Sequence, residues 1–459
     1  MTGSGLRALV IGAGIAGLTA AADLVAAGVD VTVLEARGRV GGRMRGVPVS
    51  AGGAVDGGAA YLGARHTQLL SLLQDHGLGT ESTAMEGDNT FLVTGHRVTT
   101  ARRLPPLAAV ALGELFELVE ELAEQVRPEA PWRSTQAPLL DRMTAERWFA
   151  QRLTHPDALT FLPLFVGQLM AADPASVSAL HTAFYLRSGG GARYLNAFEG
   201  GAQQWRVTGG SHRLCESMAD RLGDRIRLQE RVIEVDQQSG DVTVHSVSDE
   251  GTHHCHRADM VVVAIPPVLA QAIVFRPGLP RRRASAVTGR GCAVKVHFIY
   301  PTAVWRDSGL SGWSMSAQRP LQFTVDDSPR DGSAGVLTAF VTGAAARFFS
   351  RLPLAEKRSA ALAHLHRIFP ELPAPTQCSV TDWPSEKYSR GCYAALFGPG
   401  DWRRLGPTLT RPHGRVHWAG TETSLEFFGH MEGAVISGHR AAAELIHRSG
   451  DTNYSRKVV

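Results

Sequence analysis

Gly12, Gly14 and Gly17 stand in the spacing GxGxxG, and Glu35 follows about 20 residues later, an arrangement suited to gripping a dinucleotide. The chemistry is one of backbone and charge. The first glycine permits a tight turn, the second lets backbone approach a pyrophosphate, and the third lets helix and strand pack closely, with the phosphates at the positive helix end. Glu35 falls where a ribose hydroxyl would be held. Directly after it, Arg37, Arg39 and Arg43 surround the glycine pair Gly41 and Gly42, so positive charge and approachable backbone again occur together. An adenosine-containing dinucleotide is therefore expected. Three further places carry reactive side chains: Lys295 in CAVKVHFIY, Cys392 immediately before Tyr393, and His430 immediately before a helical run that begins at Met431.

The elements that must position these residues are legible from their spacing. An apolar run over residues 8–11 enters the glycine pattern and small residues over 18–27 leave it, which predicts strand, tight turn and helix; a second strand over 29–34 ends at Glu35. A Gly-rich loop from Val55 leads to an amphipathic helix over 67–76. A hairpin is expected over 90–99, and amphipathic helices over 107–125 and on to about Arg187 form a helical block. From Gly200 the pattern returns to α/β, with a helix over 211–222, alternating residues over 242–247 and a buried-strand run over 260–265. Residues 292–300 alternate as a strand with Lys295 at the centre, where a lysine ordinarily keeps its head on the wet face. No second unit of strand, GxGxxG and helix appears, which speaks against a separate pyridine-nucleotide site and for oxygen as electron acceptor.

Composition bounds the function classes. At 459 residues the chain exceeds one ordinary core, and its 44% apolar content suffices for two domains. The net charge of +4 comes from scattered residues, with Arg281 to Arg283 the densest run, so no nucleic-acid partner is expected. Lysine occurs only at positions 295, 357, 387 and 457, which draws attention to the one inside an apolar segment. The five cysteines are odd in number, widely spaced and form no CxxC, so neither a disulfide framework nor a zinc site is indicated, and no metal is expected. Residues 1–5 lead straight into the first strand, leaving no room for a signal peptide, and no run reaches the roughly 18 apolar residues of a membrane helix. A soluble, cytoplasmic protein without a membrane partner is expected, with monomer and homodimer both open.

The run from Glu35 to Arg43 after the glycine fingerprint resembles the FAD-binding opening of the flavin amine oxidase and protoporphyrinogen oxidase superfamily. The likeness to the flavin monoamine oxidases continues in VDGGAAYLG, WPSEKYSRGCYAALFGPG and VHWAGTETSLEFFGHMEGAVISGHR, and so covers nearly the whole chain in the family's order. It implies an α/β fold with a Rossmann-like FAD-binding domain of amine-oxidase type. That domain would be built from segments 1–80, 207–285 and 385–459, with an α+β substrate-binding domain from 81–206 and 286–384. By the same resemblance Gly58 and Tyr61 pass the flavin ring, and Val232 meets the adenine end through its backbone. Gly420 and Glu422 lie near the cofactor, and the helix from Met431 points its positive end at the ring, joining Gly12, Gly14, Gly17, Glu35, Arg37, Gly42 and Arg43 as cofactor-binding residues.

The resemblance also assigns the reactive positions. Lys295 falls on the lysine that reaches toward flavin N5 through a water, Phe323 on an aromatic lining the substrate cavity, and Tyr393 on the tyrosine facing the substrate. Cys392 falls on the cysteine joined to the flavin in the mitochondrial enzymes; Arg390 stands where those enzymes have glycine, so both a covalent and a noncovalent FAD stay open. His430 stands where they place the second tyrosine of an aromatic cage, which puts the substrate range in doubt. The implied reaction is FAD-dependent oxidation of a small-molecule amine to an imine, hydrolysed to an aldehyde or ketone, with O2 reduced to hydrogen peroxide. Oxidation of an α-amino acid stays open through Arg65, whose guanidinium could hold a carboxylate. Dehydrogenation of a carbon skeleton is a further alternative, opposed by Lys295, Tyr393 and the GCY motif; the glycine fingerprint and Glu35 oppose a non-enzymatic carrier.

Overall fold

Residues 8–11 are buried on both faces, as a central strand of a parallel sheet must be. In the computed structural model, which describes residues 5–49, 52–93, 95–284 and 289–456, the strand Arg7–Ile11 pairs in parallel with Asp30–Leu34 on one side and Met260–Val263 on the other. Ile226–Arg227 and Val416–Trp418 complete a five-stranded sheet, so strands far apart in sequence become neighbours. The period of two divides its side chains between two layers. Ala8, Val10, Val31, Val33 and Val262 pack under helices, whereas Leu9, Ile11, Leu34, Val261 and Val263 pack under a second sheet containing Val235, Val242 and Val244. The helices Ile15–Ala26 and Met431–Arg456 cross closely because Gly438 has no side chain: a Cβ there would lie 2.5 Å from the Ala16 carbonyl oxygen.

A mixed seven-stranded sheet forms the second layer system, in the order Gln377–Asp382, Ala293–Tyr300, Gly335–Thr342, Phe323–Asp326, Leu310–Ser316, Asp88–Leu92 and Val98–Thr100. The last two are the expected hairpin. One face of Ala293–Tyr300 sends Val294, Val296 and Phe298 into an apolar cluster with Ala361, Leu365 and Ile368 of the helix Leu354–Ile368. Lys295 and His297 therefore take the other face, and both donate to the backbone carbonyl of Asp56, at 3.0 and 3.2 Å. Lys295 is 4% exposed and so does not take the wet face usual for a lysine at the centre of a strand. Across the same sheet the helices Ala109–Glu124, Pro156–Met170 and Ala179–Ser188 join Phe91, Trp313, Phe323 and Phe340 in the largest core.

A three-stranded sheet of Tyr61–Leu62, Trp205–Val207 and Thr80–Ser82 spans the positions where the sequence suggested domain changes at 80 and 206. All five cysteines are free thiols. No helix among the described residues is long and apolar enough to cross a membrane.

The glycine fingerprint has two distinct physical demands. Gly17 lies against the preceding turn, where an added Cβ would sit 2.0 Å from the Gly12 carbonyl oxygen. Gly14 has ordinary extended backbone at φ −74°, and a Cβ on it would meet nothing within 4 Å. Gly17→Ala is therefore expected to lower the thermal unfolding midpoint by several degrees, because the helix must move off its strand. Gly14→Ala should leave the midpoint of the cofactor-free protein unchanged and weaken cofactor binding instead. Differential scanning calorimetry with and without FAD separates the two.

Candidate active site

Gly12, Glu35, Ala264 and Gly420 follow the carboxyl ends of four parallel strands, and all four line one cavity of about 550 Å3. A doubly wound sheet places its ligand at this edge. Gly12 has φ +103°, and any side chain on it would strike Ile265 and the Ala264 carbonyl, so the turn requires glycine. Gly14 forms open wall at the start of the helix Ile15–Ala26. Gly17 performs its packing role from behind this wall, without lining it.

Glu35 is 3% exposed. Its carboxylate accepts from the Ala13 and Arg37 N–H groups, both at 2.9 Å, and is fixed with lone pairs still able to accept ribose hydroxyls. Arg37 is held in turn by Glu386 at 2.6 Å and Ser389 at 2.9 Å, so its guanidinium forms a fixed part of the wall. Val232 lines the same end, beside an irregularity in its strand. An uncluttered glycine cradle, a helix start and a fixed carboxylate fit the adenosine and pyrophosphate parts of FAD.

Arg43 connects the dinucleotide end to the rest. Its guanidinium makes a bidentate pair with Glu422, at 2.7 and 3.0 Å, and donates to the Tyr393 carbonyl at 2.6 Å. The Arg43 carbonyl packs on Gly58, where a Cβ would lie 1.8 Å away, so Gly58 permits the loop to close on it. Arg43, Gly42 and Gly58 line the cavity. Glu422 does not: its carboxylate is directed to Arg43 and to the Ala395 N–H, and whatever it does for the site it does through them.

The opposite end is aromatic. Sheet register sets Lys295 opposite Phe340, and Phe340 opposite Phe323, so the three stand in one row on one face. The Lys295 ammonium nitrogen lies 4.9 Å from the Phe340 ring centroid and 5.9 Å from that of Tyr61. Burial pushes the Lys295 pKa down, and Asp327 and Asp56 oppose that shift. Tyr61 donates its hydroxyl to Asp327 at 3.1 Å, and Asp327 also pairs with Arg206.

Cys392, Tyr393, His430 and Met431 complete this end. Burial pushes the Cys392 thiol up, with a further rise from Cys292. Tyr393 adopts φ +54°, a left-handed conformation rare for a bulky residue and supported here by the Arg43 hydrogen bond to its carbonyl. His430 is anchored by a 3.1 Å contact from Nδ1 to the Phe428 carbonyl, and burial lowers its pKa. Its ring lies 5.7 Å from that of Tyr185. Met431 opens the terminal helix, and Glu432 beside it accepts from the Gln68 and Leu69 N–H groups, capping a second helix.

The sequence reading missed Tyr185, Trp313, Phe340 and Gln168, which also line the cavity. Tyr185 lies in a helix buried nearly all round, so no periodicity separated it from core residues. Phe340 was detectable only through its register with Lys295. Arg65, by contrast, is exposed and lies over the Tyr194 ring at 4.5 Å, away from the cavity wall.

Glu422→Gln would leave the Arg43 charge facing a neutral amide. A loss of about 2 kcal/mol is expected, below the full cost of a dry pair because Arg43 retains partial exposure. Urea unfolding should show a lower midpoint with an unchanged slope.

Known proteins agree with this arrangement. The profile of the flavin containing amine oxidoreductase family matches residues 15–446. A flavin-containing amine oxidase of Danio rerio is 32% identical over 466 residues, spanning 99% of this chain and 88% of that protein. Flavin-containing amine oxidase B of Sus scrofa is 33% identical over 453 residues, 96% of this chain and 86% of its own. Among solved structures, cyclohexylamine oxidase from Brevibacterium oxydans superposes with a TM-score of 0.90 at 30% identity, covering 96% of this chain and 99% of that one. Wild-type putrescine oxidase bound to putrescine matches with the same score, identity and coverage. With its dinucleotide cradle, its aromatic end and a match running almost end to end, this chain belongs to the flavin-containing amine oxidoreductase family.

Proposed function

We propose that this enzyme oxidises a monoamine with an apolar body, and that Lys295, Tyr393 and His430 attend the reacting carbon and nitrogen. The observation that carries this is the distribution of charge along one cavity: Glu35 and Glu230 are its acidic lining residues, and both belong to the dinucleotide end with Arg37 and Val232. Among the described residues, the charged side chain on the wall around Trp313, Phe323, Phe340 and Tyr185 is Lys295. Among the described residues no carboxylate lines that part of the wall to hold a second ammonium, and Arg65, the candidate for an amino-acid carboxylate, stands outside it. A diamine and an α-amino acid are both disfavoured on this ground.

When bound, FAD supplies the two-electron acceptor for the amine carbon and passes those electrons to O2. The chain's own residues set the conditions. Low polarity favours the neutral amine over the ammonium by desolvation, keeping its lone pair available. Tyr393 and His430 flank the nitrogen, and burial lowers the His430 pKa, which disfavours protonation of its ring. Lys295 donates one N–H to the Asp56 carbonyl and has others left to hold a water for the oxygen half. Arg37, Arg43, Glu35 and the glycines hold the dinucleotide, and the helix from Met431 presents its positive end to the cavity. Cys392 is the wall residue able to tie the cofactor covalently.

Three measurements test the reading. Anaerobic stopped-flow with aryl and alicyclic monoamines should bleach the flavin at rates rising with pH toward the amine's own pKa. Any inflection from His430 should fall below the ordinary histidine value of 6.5, since burial lowers its pKa. An absence of bleaching with every amine would remove the reading. Lys295→Met should slow reoxidation by O2 more than reduction by amine, and equal effects on the two would remove the lysine's role. Acid precipitation decides the tie to Cys392: colour retained in the pellet establishes it, and colour wholly in the supernatant excludes it.

A further inference from the structure

Gln168 is out of character with the wall it belongs to. It lies in the last turn of the helix Pro156–Met170, among Leu164, Phe165, Leu169 and Met170, all of which are buried apolar residues. It lines the cavity together with Trp313, Phe323 and Phe340. The residue is half-buried, and its carboxamide makes no hydrogen bond to any described residue. Two donors and an acceptor oxygen so placed are left to pair with water or with a bound molecule.

Two more carboxamides line the same cavity with hydrogen-bonding capacity left over. Asn196 donates through Nδ2 to the Ala192 carbonyl at 2.8 Å, which leaves Oδ1 as an acceptor. Gln203 donates through Nε2 to the Leu195 carbonyl at 3.0 Å, which leaves Oε1. Neutral donors and acceptors, with no acid or guanidinium among them, suit a group that both gives and receives a hydrogen bond without carrying charge. A hydroxyl is that group; a carboxylate or second ammonium would be desolvated without a counter-charge.

We propose that Gln168 is a specificity-determining residue that pairs with a hydroxyl on the apolar body of the substrate, so that the preferred amines are hydroxylated aryl or alicyclic monoamines. This rests on the amine-oxidase reading above for the use of the cavity. A site built to pair a hydroxyl discriminates against the analogue lacking it, because its own polar groups are then left unpaired.

The test separates binding from reaction. Equilibrium binding of p-cresol and toluene to the FAD-loaded enzyme is measured by calorimetry, alongside kcat/KM for tyramine against phenethylamine and for aminocyclohexanol against cyclohexylamine. The hydroxylated member of each pair is expected to lead by about tenfold. Gln168→Met, close in volume, and Gln168→Leu should each erase that lead while FAD content and thermal midpoint stay at wild-type values. Toluene binding as tightly as p-cresol, or a lead that survives in both variants, overturns the proposal even if every amine is oxidised. If no amine reduces the flavin but the p-cresol preference holds and is lost in the variants, the hydroxyl site stands and the amine reading falls.

Discussion

The bidentate pair between Arg43 and Glu422 is the interaction on which the site's geometry rests. It joins residues 379 positions apart, and the same guanidinium holds the carbonyl of Tyr393, whose backbone is in a conformation it would not keep unaided. The Arg43 carbonyl, facing the other way, is covered by Gly58. One residue thus fixes the glycine-rich opening, the loop leading to Tyr61, the strand carrying Cys392 and Tyr393, and the turn after Gly420. Glu422, 2% exposed, has no other counter-charge of comparable proximity among the described residues, so the pair must form for either charge to be buried at all.

The second constraint is parity in a sheet. Ala293–Tyr300 has eight buried residues, and its apolar side packs with Val294, Val296 and Phe298. Lys295 has one remaining face, and it finds there a carbonyl from the loop before Gly58 and two aromatic rings. A one-residue slip would send the lysine into an apolar cluster and a valine into the cavity. The lysine's burial is tolerated because Asp327 and Asp56 offset the desolvation that lowers its pKa, and Asp327 is itself held by Arg206 and Tyr61. This small buried ionic group lies behind the aromatic end, which leaves the wall in front of it nearly uncharged.

Much of the dinucleotide half was legible in the sequence because its determinants are local. Turn, helix start and acidic side chain occur within some two dozen residues, and Gly12 and Gly17 each answer a steric demand that only glycine meets. The strands over 8–11, 29–34 and 260–265 carried the apolar runs of a sheet covered on both faces, and the structure places them side by side. At the aromatic end the family resemblance indicated Lys295, Phe323, Tyr393 and His430, all of which line one cavity. It gave Glu422 a place near the cofactor, whereas the folded chain turns that carboxylate to Arg43. It left Tyr185, Trp313, Phe340 and Gln168 unmarked, since a buried aromatic in a helix or strand reads the same whether it faces core or cavity.

By itself, then, the sequence determined which segments carry the turn and acidic side chain suited to a dinucleotide, that the chain is an α/β protein, and which side chains are chemically able to act. Local spacing suffices for these because they depend on turns, helix ends and residue type. Tertiary structure alone decided which face Lys295 takes, which rings stand beside it, that Arg65 is outside the cavity, and that an unpaired carboxamide is inside it. Those facts depend on register between strands more than forty residues apart and on contacts between the beginning and end of the chain. No short-range pattern encodes them; they follow from burying both faces of two sheets at once.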